Sequence, residues 1–324
     1  MYQQEGPVQG ASTTDTNSPK VAILMGTYNG ERFLPEQLDS IKRQTHTNWE
    51  LHVSDDGSTD STQVIIHDFK AELQEHLVTL RQGPQKGFAT NFLALTCDPA
   101  IKADYYAFSD QDDVWESDKL ERAIAWLNTI PTDKPAMYCS RTRLIDERGN
   151  QIGFSPLFKR KPSFKNALVQ SIAGANTMAF NNEARKLIEH GGSEISVVSH
   201  DWWVYMLVSG CGGSVYYDGT PCVRYRQHDA NLVGANAGVR AMYARLTASV
   251  RGRFKEWNNV NIKALEQITQ FLTPANRAAL QKFIELREKE FCTDRARGIV
   301  DCGIFRQTLS GNASLFIGAI FGKI

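Results

Sequence analysis

Three carboxylates, Asp110, Asp112 and Asp113, fall within the stretch Ser109-Asp110-Gln111-Asp112-Asp113-Val114-Trp115. Like charges so close repel, so the cluster needs a cation, hydrogen-bonded partners or full solvation to stay ionised. Oxygen ligands at this density suit Mg²⁺ or Mn²⁺, and such a hard cation held by one or two carboxylates keeps room for substrate phosphates. The chemistry indicated is a metal–diphosphate site. A D-x-D by itself is more often a solvated acidic turn, so its surroundings must decide.

The cluster follows Tyr105-Tyr106-Ala107-Phe108, an apolar run that reads as a buried strand, and precedes an amphipathic helix over residues 118–128. Three earlier units share this plan. Val21-Ala22-Ile23-Leu24-Met25 is a continuous apolar run, as expected of a strand covered on both faces. It exits into Gly26-Thr27-Tyr28-Asn29-Gly30, and Leu34, Leu38 and Ile41 mark the apolar stripe of a helix. Leu51-His52-Val53 exits into Asp55-Asp56-Gly57-Ser58-Thr59-Asp60. Asp60 and Gln63 have capping-box spacing there, and Ile65, Phe69 and Leu73 form the helix stripe. A strand over residues 77–80 leads through Lys86 into a helix over residues 88–95. Four such alternations predict a parallel sheet flanked by helices. The exits of parallel strands share one edge, so residues 27–30, 55–60, 86–91 and 110–113 should converge in one crevice.

Beyond residue 127 the pattern changes. Residues 136–139 read as a strand and residues 183–190 as a helix, and Ser199-His200-Asp201-Trp202-Trp203 opens another helix. Residues 214–217 and 222–226 are expected to be a strand pair around Asp218-Gly219. Residues 224–231 are too polar for core and should border a site. From about residue 239 the chain reads as helical, with a break at Thr273-Pro274. Arg240, Arg245, Arg251, Arg253 and Lys255 make its start basic, which suits a solvated face or contact with acidic headgroups. The apolar residues 315–321 are too short to span a bilayer and could pack on the domain or lie in a membrane interface. Residues 1–18 almost lack large aliphatic side chains and are expected to be a disordered tail.

With 324 residues the chain can bury a sizeable core, and a 42% hydrophobic content is that of an ordinary globular protein. Lysine plus arginine equals aspartate plus glutamate at 36 each, so nucleic-acid binding has no global electrostatic support. The six cysteines form no C-x-x-C pair. With no secretory signal read at the N-terminus, reduced thiols in the cytoplasm are expected.

Taken in order, residues 26–30, Ser54-Asp55-Asp56-Gly57-Ser58-Thr59-Asp60 and Asp110-Gln111-Asp112-Asp113 resemble the nucleotide-sugar-binding half of family 2 glycosyltransferases of the GT-A fold. Residues 108–115, with Tyr225-Arg226-Gln227-His228, are similar to the bacterial rhamnosyltransferase branch, and the resemblance covers residues 20 to about 232. It implies an α/β, Rossmann-like, mostly parallel sheet with a helical C-terminal region. The GT-A domain would span residues 19–235, with a nucleotide half at 19–130 and an acceptor half at 131–235. Residues 236–324 would be helical.

By the resemblance, Thr27, Tyr28, Asn29, Lys86, Asn91, Asp110 and Gln111 line the site of a dTDP- or UDP-sugar, and Asp56 accepts the imide N–H of the base. An ionised carboxylate is an acceptor only, which suits that partner. Asp112 would bind Mg²⁺ or Mn²⁺ with Asp113 orienting the loop, and His228 would be a further metal or diphosphate ligand. Asp201 matches the family's catalytic acidic residue, although His200 stands where a Glu usually precedes it, and Asp201 could equally cap its helix. Gly174, Asn176 and Trp202 match the acceptor side. The implied reaction is inverting transfer of a sugar, L-rhamnose from dTDP in the closest reading, to a lipid-linked saccharide at the cytoplasmic membrane face. The implied alternatives are a UDP-hexose donor or a binding module without turnover.

Overall fold

The computed structural model describes residues 18–228 and 253–324. Residues 1–17 of the expected tail, residues 229–231, Arg240, Arg245, Arg251 and the boundary near residue 235 lie outside the described residues. β1 (Val21–Thr27), β2 (Trp49–Asp55), β3 (Val78–Gln82) and β4 (Tyr105–Ser109) alternate with α1 (Leu34–Lys42), α2 (Thr62–Glu72) and α3 (Phe88–Thr96). The strands pair in parallel in the order β3-β2-β1-β4, as the alternation predicts. The chain moves outward from β1 to β3, then crosses back to set β4 on the other side of β1. The crevice beyond the C-terminal ends of β1 and β4 is therefore the reversal point where open α/β sheets bind ligands.

The continuous apolar run of β1 follows from two covered faces. Side chains alternate across a strand. Val21, Ile23 and Met25 join Leu34, Leu38 and Ile41 of α1 in one core, and Ala22 and Leu24 join Phe92 and Leu93 of α3 in the other. Each fully buried aliphatic side chain contributes roughly 1.5–3 kcal/mol.

Next come β5 (Val114–Trp115), α4 (Lys119–Leu127), β6 (Ala136–Ile145), β7 (Gln151–Phe154), α5 (Phe164–Ala167), β8 (Ala179–Asn181), α6 (Asn182–Gly191), α7 (His200–Gly210) and β9 (Ser214–Arg226). The sheet continues from β4 through antiparallel β8 to β6, β9 and β5, with β7 paired to β6. β9 corrects the expected strand pair. Both of its halves run parallel to β6, Ser140 facing Asp218 and Thr142 facing Val223, so the residues between bulge outward instead of reversing the chain. Arg122 and Tyr138 both donate to Asp218 Oδ2, at 2.5 and 2.7 Å, and pin that bulge. The expected capping box also fails to form. Gln63 reaches Asp55 Oδ2 at 2.8 Å, and Asp60 Oδ1 accepts the Thr62 N–H at 3.0 Å.

The C-terminal region holds α8 (Arg253–Gln267), α9 (Pro274–Glu288), α10 (Cys292–Cys302) and α11 (Leu309–Ile320). The break falls at Thr273-Pro274, where Thr273 caps α9 and Pro274 occupies its first turn. Leu265, Leu272, Phe283 and Ile299 share one core with Trp203 and Leu207 of α7. Among the described residues, no helix is long and apolar enough to cross a membrane.

Candidate active site

Hydrogen bonds knit the exits of β1, β2 and β3 together. Thr27 Oγ1 donates to Asp55 Oδ1 at 2.9 Å, and Ser58 and Gln63 donate to the same carboxylate. Burial works to raise the Asp55 pKa, but the bonds from Ser58, Gln63 and Thr27 outweigh it and hold the group below its ordinary value. Asn29 takes a positive φ of 49° and its side chain accepts the Thr59 N–H at 2.8 Å. Asp56 Oδ1 accepts the Gln85 N–H at 2.6 Å. A Cβ on Gly83 would stand 2.6 Å from that carboxylate and 2.7 Å from Asn91 Oδ1, so the close approach requires glycine. Tyr28 is 59% exposed at the mouth of the crevice.

Two residues expected to contact the donor are committed to the scaffold. Asn91 is buried and exchanges hydrogen bonds with Ser54 through both amide atoms, at 2.5 and 2.9 Å. Gln111 clips the Tyr28 peptide, accepting its N–H and donating to its carbonyl, each at 2.9 Å. Lys86 pairs with Glu194 at 2.6 Å beside a cavity of 390 Å³ that Phe88, Thr90 and Val198 also line.

The acidic loop runs from β4 to β5. Asp113 is fully buried, accepting from Asn176 Nδ2 at 2.5 Å and from the Arg226 N–H at 3.1 Å. Asn176 therefore stands behind the loop, not on an acceptor surface; Gly174, before it, is exposed. Buried Gln37 bridges the loop from α1, with its amide oxygen toward Ser109 and Trp115 and its nitrogen toward the Asp113 carbonyl at 2.8 Å. Burial pushes Asp113 well up, with the charges of Asp112 and Asp110 adding. Asp110 rises to about 7 through burial and the charges of Asp112 and Asp201, with Lys119 opposing.

His228 Nε2 lies 2.8 Å from Asp112 Oδ2. One carboxylate and one imidazole form an oxygen and nitrogen donor set that Mn²⁺ or Mg²⁺ accepts. Among the described residues no cluster of three His, Cys, Asp or Glu side chains is arranged to hold a metal. Further ligands would therefore come from water and phosphate, which is how Mg²⁺ is commonly held. The electrostatic crowding of Asp110 and Asp113 fits a cation at this place.

Asp201 lies in the first turn of α7, and Ser171 Oγ donates to its Oδ2 at 3.3 Å. Burial raises its pKa against hydrogen bonds from Ser199, the Trp202 N–H and Ser171. Its neighbour His200 is buried against Phe92, stacked at 4.1 Å, and against the edge of Phe108 at 4.9 Å. Neither of its ring nitrogens has a hydrogen-bond partner, and burial lowers its pKa to about 3. His200 is thus a neutral core group. Trp202, expected on the acceptor side, is 5% exposed and belongs to the core, its indole N–H donating to the Ala167 carbonyl at 2.5 Å.

The site also rests on two buried cations, Arg226, which the sequence offered only as part of the Tyr225-Arg226-Gln227-His228 motif, and Lys119, which the residue pattern did not single out. Arg226 is buried and donates to the Asp112 carbonyl at 3.1 Å, to the Glu147 carbonyl at 3.0 Å and to the Glu36 carboxylate. Lys119 is buried over the Trp115 ring, 3.3 Å from its centroid. The only hint of Lys119 was its place shortly after the acidic loop.

The family described as Glycosyl transferase family 2 matches residues 22–179. A dTDP-rhamnosyl transferase, RfbG of Shigella flexneri, is 32% identical over 231 residues, covering 68% of this chain and 78% of the other. A UDP-Glc:alpha-D-GlcNAc-diphosphoundecaprenol beta-1,3-glucosyltransferase, WfgD of Escherichia coli, is 33% identical over 107 residues, 33% of this chain and 40% of the other. Among solved structures, S. aureus TarS 1-349 in complex with UDP-GlcNAc aligns with a TM-score of 0.52 at 15% identity, covering 94% of this chain and 90% of that one. GalNAc-T7 with UDP, GalNAc and Mn²⁺ aligns with a TM-score of 0.51 at 13% identity, covering 79% and 57%. These likenesses show the GT-A fold. The length and identity of the S. flexneri match show more than fold: this chain belongs to family 2 of the glycosyltransferases and is a sugar-transferring enzyme.

Proposed function

We propose that the enzyme is an inverting, metal-dependent transferase that moves L-rhamnose from dTDP-L-rhamnose to a hydroxyl of a lipid-linked saccharide, at the cytoplasmic face of the membrane, in synthesis of a cell-surface polysaccharide. The observation that carries the reading is the Asp112–His228 pair, which joins the acidic loop after β4 to the end of β9 at the sheet's reversal point. The S. flexneri relative's name supports the donor, and the E. coli relative's name supports a diphosphoundecaprenol-linked acceptor.

In this mechanism Thr27 and Tyr28 border the nucleoside, Asp56 accepts the imide N–H of the base, and Asp110 faces the ribose. Mg²⁺ or Mn²⁺ held by Asp112 and His228 would neutralise the leaving diphosphate. Asp201 takes the proton of the acceptor hydroxyl as its oxygen bonds to the sugar C1 and the C1–O bond to diphosphate breaks. One displacement inverts the anomeric centre. Gly174 lies on the acceptor side, and neutral His200 supports α7 from below.

Calorimetric titration of dTDP and UDP, with Mn²⁺ and with EDTA, on wild type and Asp112→Ala tests the reading. Expected is Mn²⁺-dependent dTDP binding that Asp112→Ala loses. Preference for UDP would select the UDP-hexose reading, which the E. coli relative's name favours. No binding of either nucleotide would remove the donor site.

A further inference from the structure

α11 carries an outward face that the catalytic site does not use. Leu309 is 91% exposed and Phe321, just past the helix, is 69% exposed. Ala313, Phe316, Ile317 and Ile320 lie between them on the exposed side. The spacing, 309, 313, 316, 317, 320 and 321, is that of a single helical stripe. The opposite side, Leu315, Gly318 and Ala319, is buried in the shared core. The helix is thus apolar on its buried and its exposed side alike, and it contains no charged residue. Contiguous exposed apolar surface of this kind marks an interaction or membrane site.

Charge selects the occupant. Arg306 precedes the helix, Lys323 follows it, and the Arg295 guanidinium donates to the Ala319 and Ile320 carbonyls at its C-terminal end, each at 2.7 Å. No Asp or Glu occurs from residue 302 to residue 324. A second copy of α11 laid on the first, in either direction, would bring the Arg306 and Lys323 ends together, and neither helix nor its flanks from residue 302 onward carries an acid to pair them. An anionic lipid surface complements both ends and the apolar stripe at once. A helix of 12 residues spans about 18 Å, too short to cross a bilayer, so it would lie in the interface.

We infer that α11 docks the enzyme on an anionic membrane, with the stripe from Leu309 to Phe321 in the headgroup region. This deepens the proposed use of a lipid-linked acceptor by naming the surface that brings the enzyme to it. The full chain is floated with phosphatidylcholine vesicles, with and without phosphatidylglycerol, in the absence of donor and acceptor. The comparison is the triple variant Leu309→Gln/Ile317→Gln/Phe321→Gln, whose thermal melt and nucleotide titration report an intact fold. Expected is flotation that depends on phosphatidylglycerol and drops at least about tenfold in the variant. Wild type left in the buffer fraction, equal flotation with neutral vesicles, or a variant that floats as wild type does would overturn the inference. So would a dimer, seen by ultracentrifugation, that the variant dissolves. Because flotation needs no nucleotide, a failed nucleotide titration sinks the donor reading and leaves lipid docking standing or falling on its own result.

Discussion

His228 Nε2 and Asp112 Oδ2 stand 2.8 Å apart although 116 positions separate them in the chain. The contact joins the loop after β4 to the end of β9, so the second half of the domain completes a site that the first half begins. If the pair holds the metal, His228→Ala should weaken Mn²⁺-dependent dTDP binding by about 10–100-fold while leaving metal-free binding unchanged. Calorimetry with and without Mn²⁺ reads both. Equal affinities in the two proteins would reduce His228 to a hydrogen-bond partner of Asp112.

Asp201 must be ionised to accept a proton, and burial holds its pKa above the ordinary carboxylate value. The sign follows directly: lowering the pH through that raised pKa protonates the base, so kcat/KM should fall along an acid limb that lies above the ordinary carboxylate range and level off at higher pH. Asp201→Asn should lower kcat by about 10²–10⁴ with donor affinity retained, and should erase the limb. A variant that turns over at the wild-type rate would remove Asp201 from the chemistry.

Arg226 ties the Asp112 carbonyl, the Glu147 carbonyl and Glu36 into one knot beneath the acidic loop. Its guanidinium is buried, whereas Glu36 is exposed. The two partners should therefore differ in cost. Arg226→Met should lower unfolding free energy by about 3 kcal/mol, since several carbonyls lose a charged donor inside the protein. Glu36→Gln keeps an acceptor at a solvated position and should cost at most about 1 kcal/mol. Urea unfolding compares them, and similar losses would show that the ion pair, not the carbonyl contacts, holds the loop.

The parallel half of the sheet was legible because its evidence is local. Each apolar run, polar exit and helix stripe sits within a short segment, and strand order then carries the exits to one edge. The halves of β9 were not legible: Asp218-Gly219 has turn chemistry, while the chain's direction is decided by pairing with β6, far away in sequence. Arg226 and Lys119 belong to residue types that composition assigns to the surface, and only tertiary packing buries them. Trp202 fails the other way. An aromatic ring beside a candidate catalytic aspartate suits an acceptor-side surface or the core, and the Ala167 carbonyl settles which way its indole turns. The acidic cluster itself was read correctly as crowded, but the buried amides of Gln37 and Asn176 that support it lie on elements whose adjacency no local pattern reveals.

Lys119 offers a test of that crowding from the side of the protein. Its ammonium is buried over Trp115 without a hydrogen-bond partner. Burial lowers its pKa to about 8, although Cys222, Asp113 and Asp110 pull it upward. Below pH 8 the folded and unfolded chains both carry the proton, so this group gives stability no pH dependence. Between about 8 and the ordinary lysine value near 10.4 the unfolded chain keeps a proton the folded chain has lost, and stability rises with pH. Lys119→Met removes the group and hence this contribution. Urea unfolding of both proteins from about pH 7 to about pH 10 should show wild type gaining on the variant by up to about 1.4 kcal/mol per pH unit within that window. A difference that stays constant would mean that Lys119 titrates at its ordinary value, with its charge fully compensated by the carboxylates beside it.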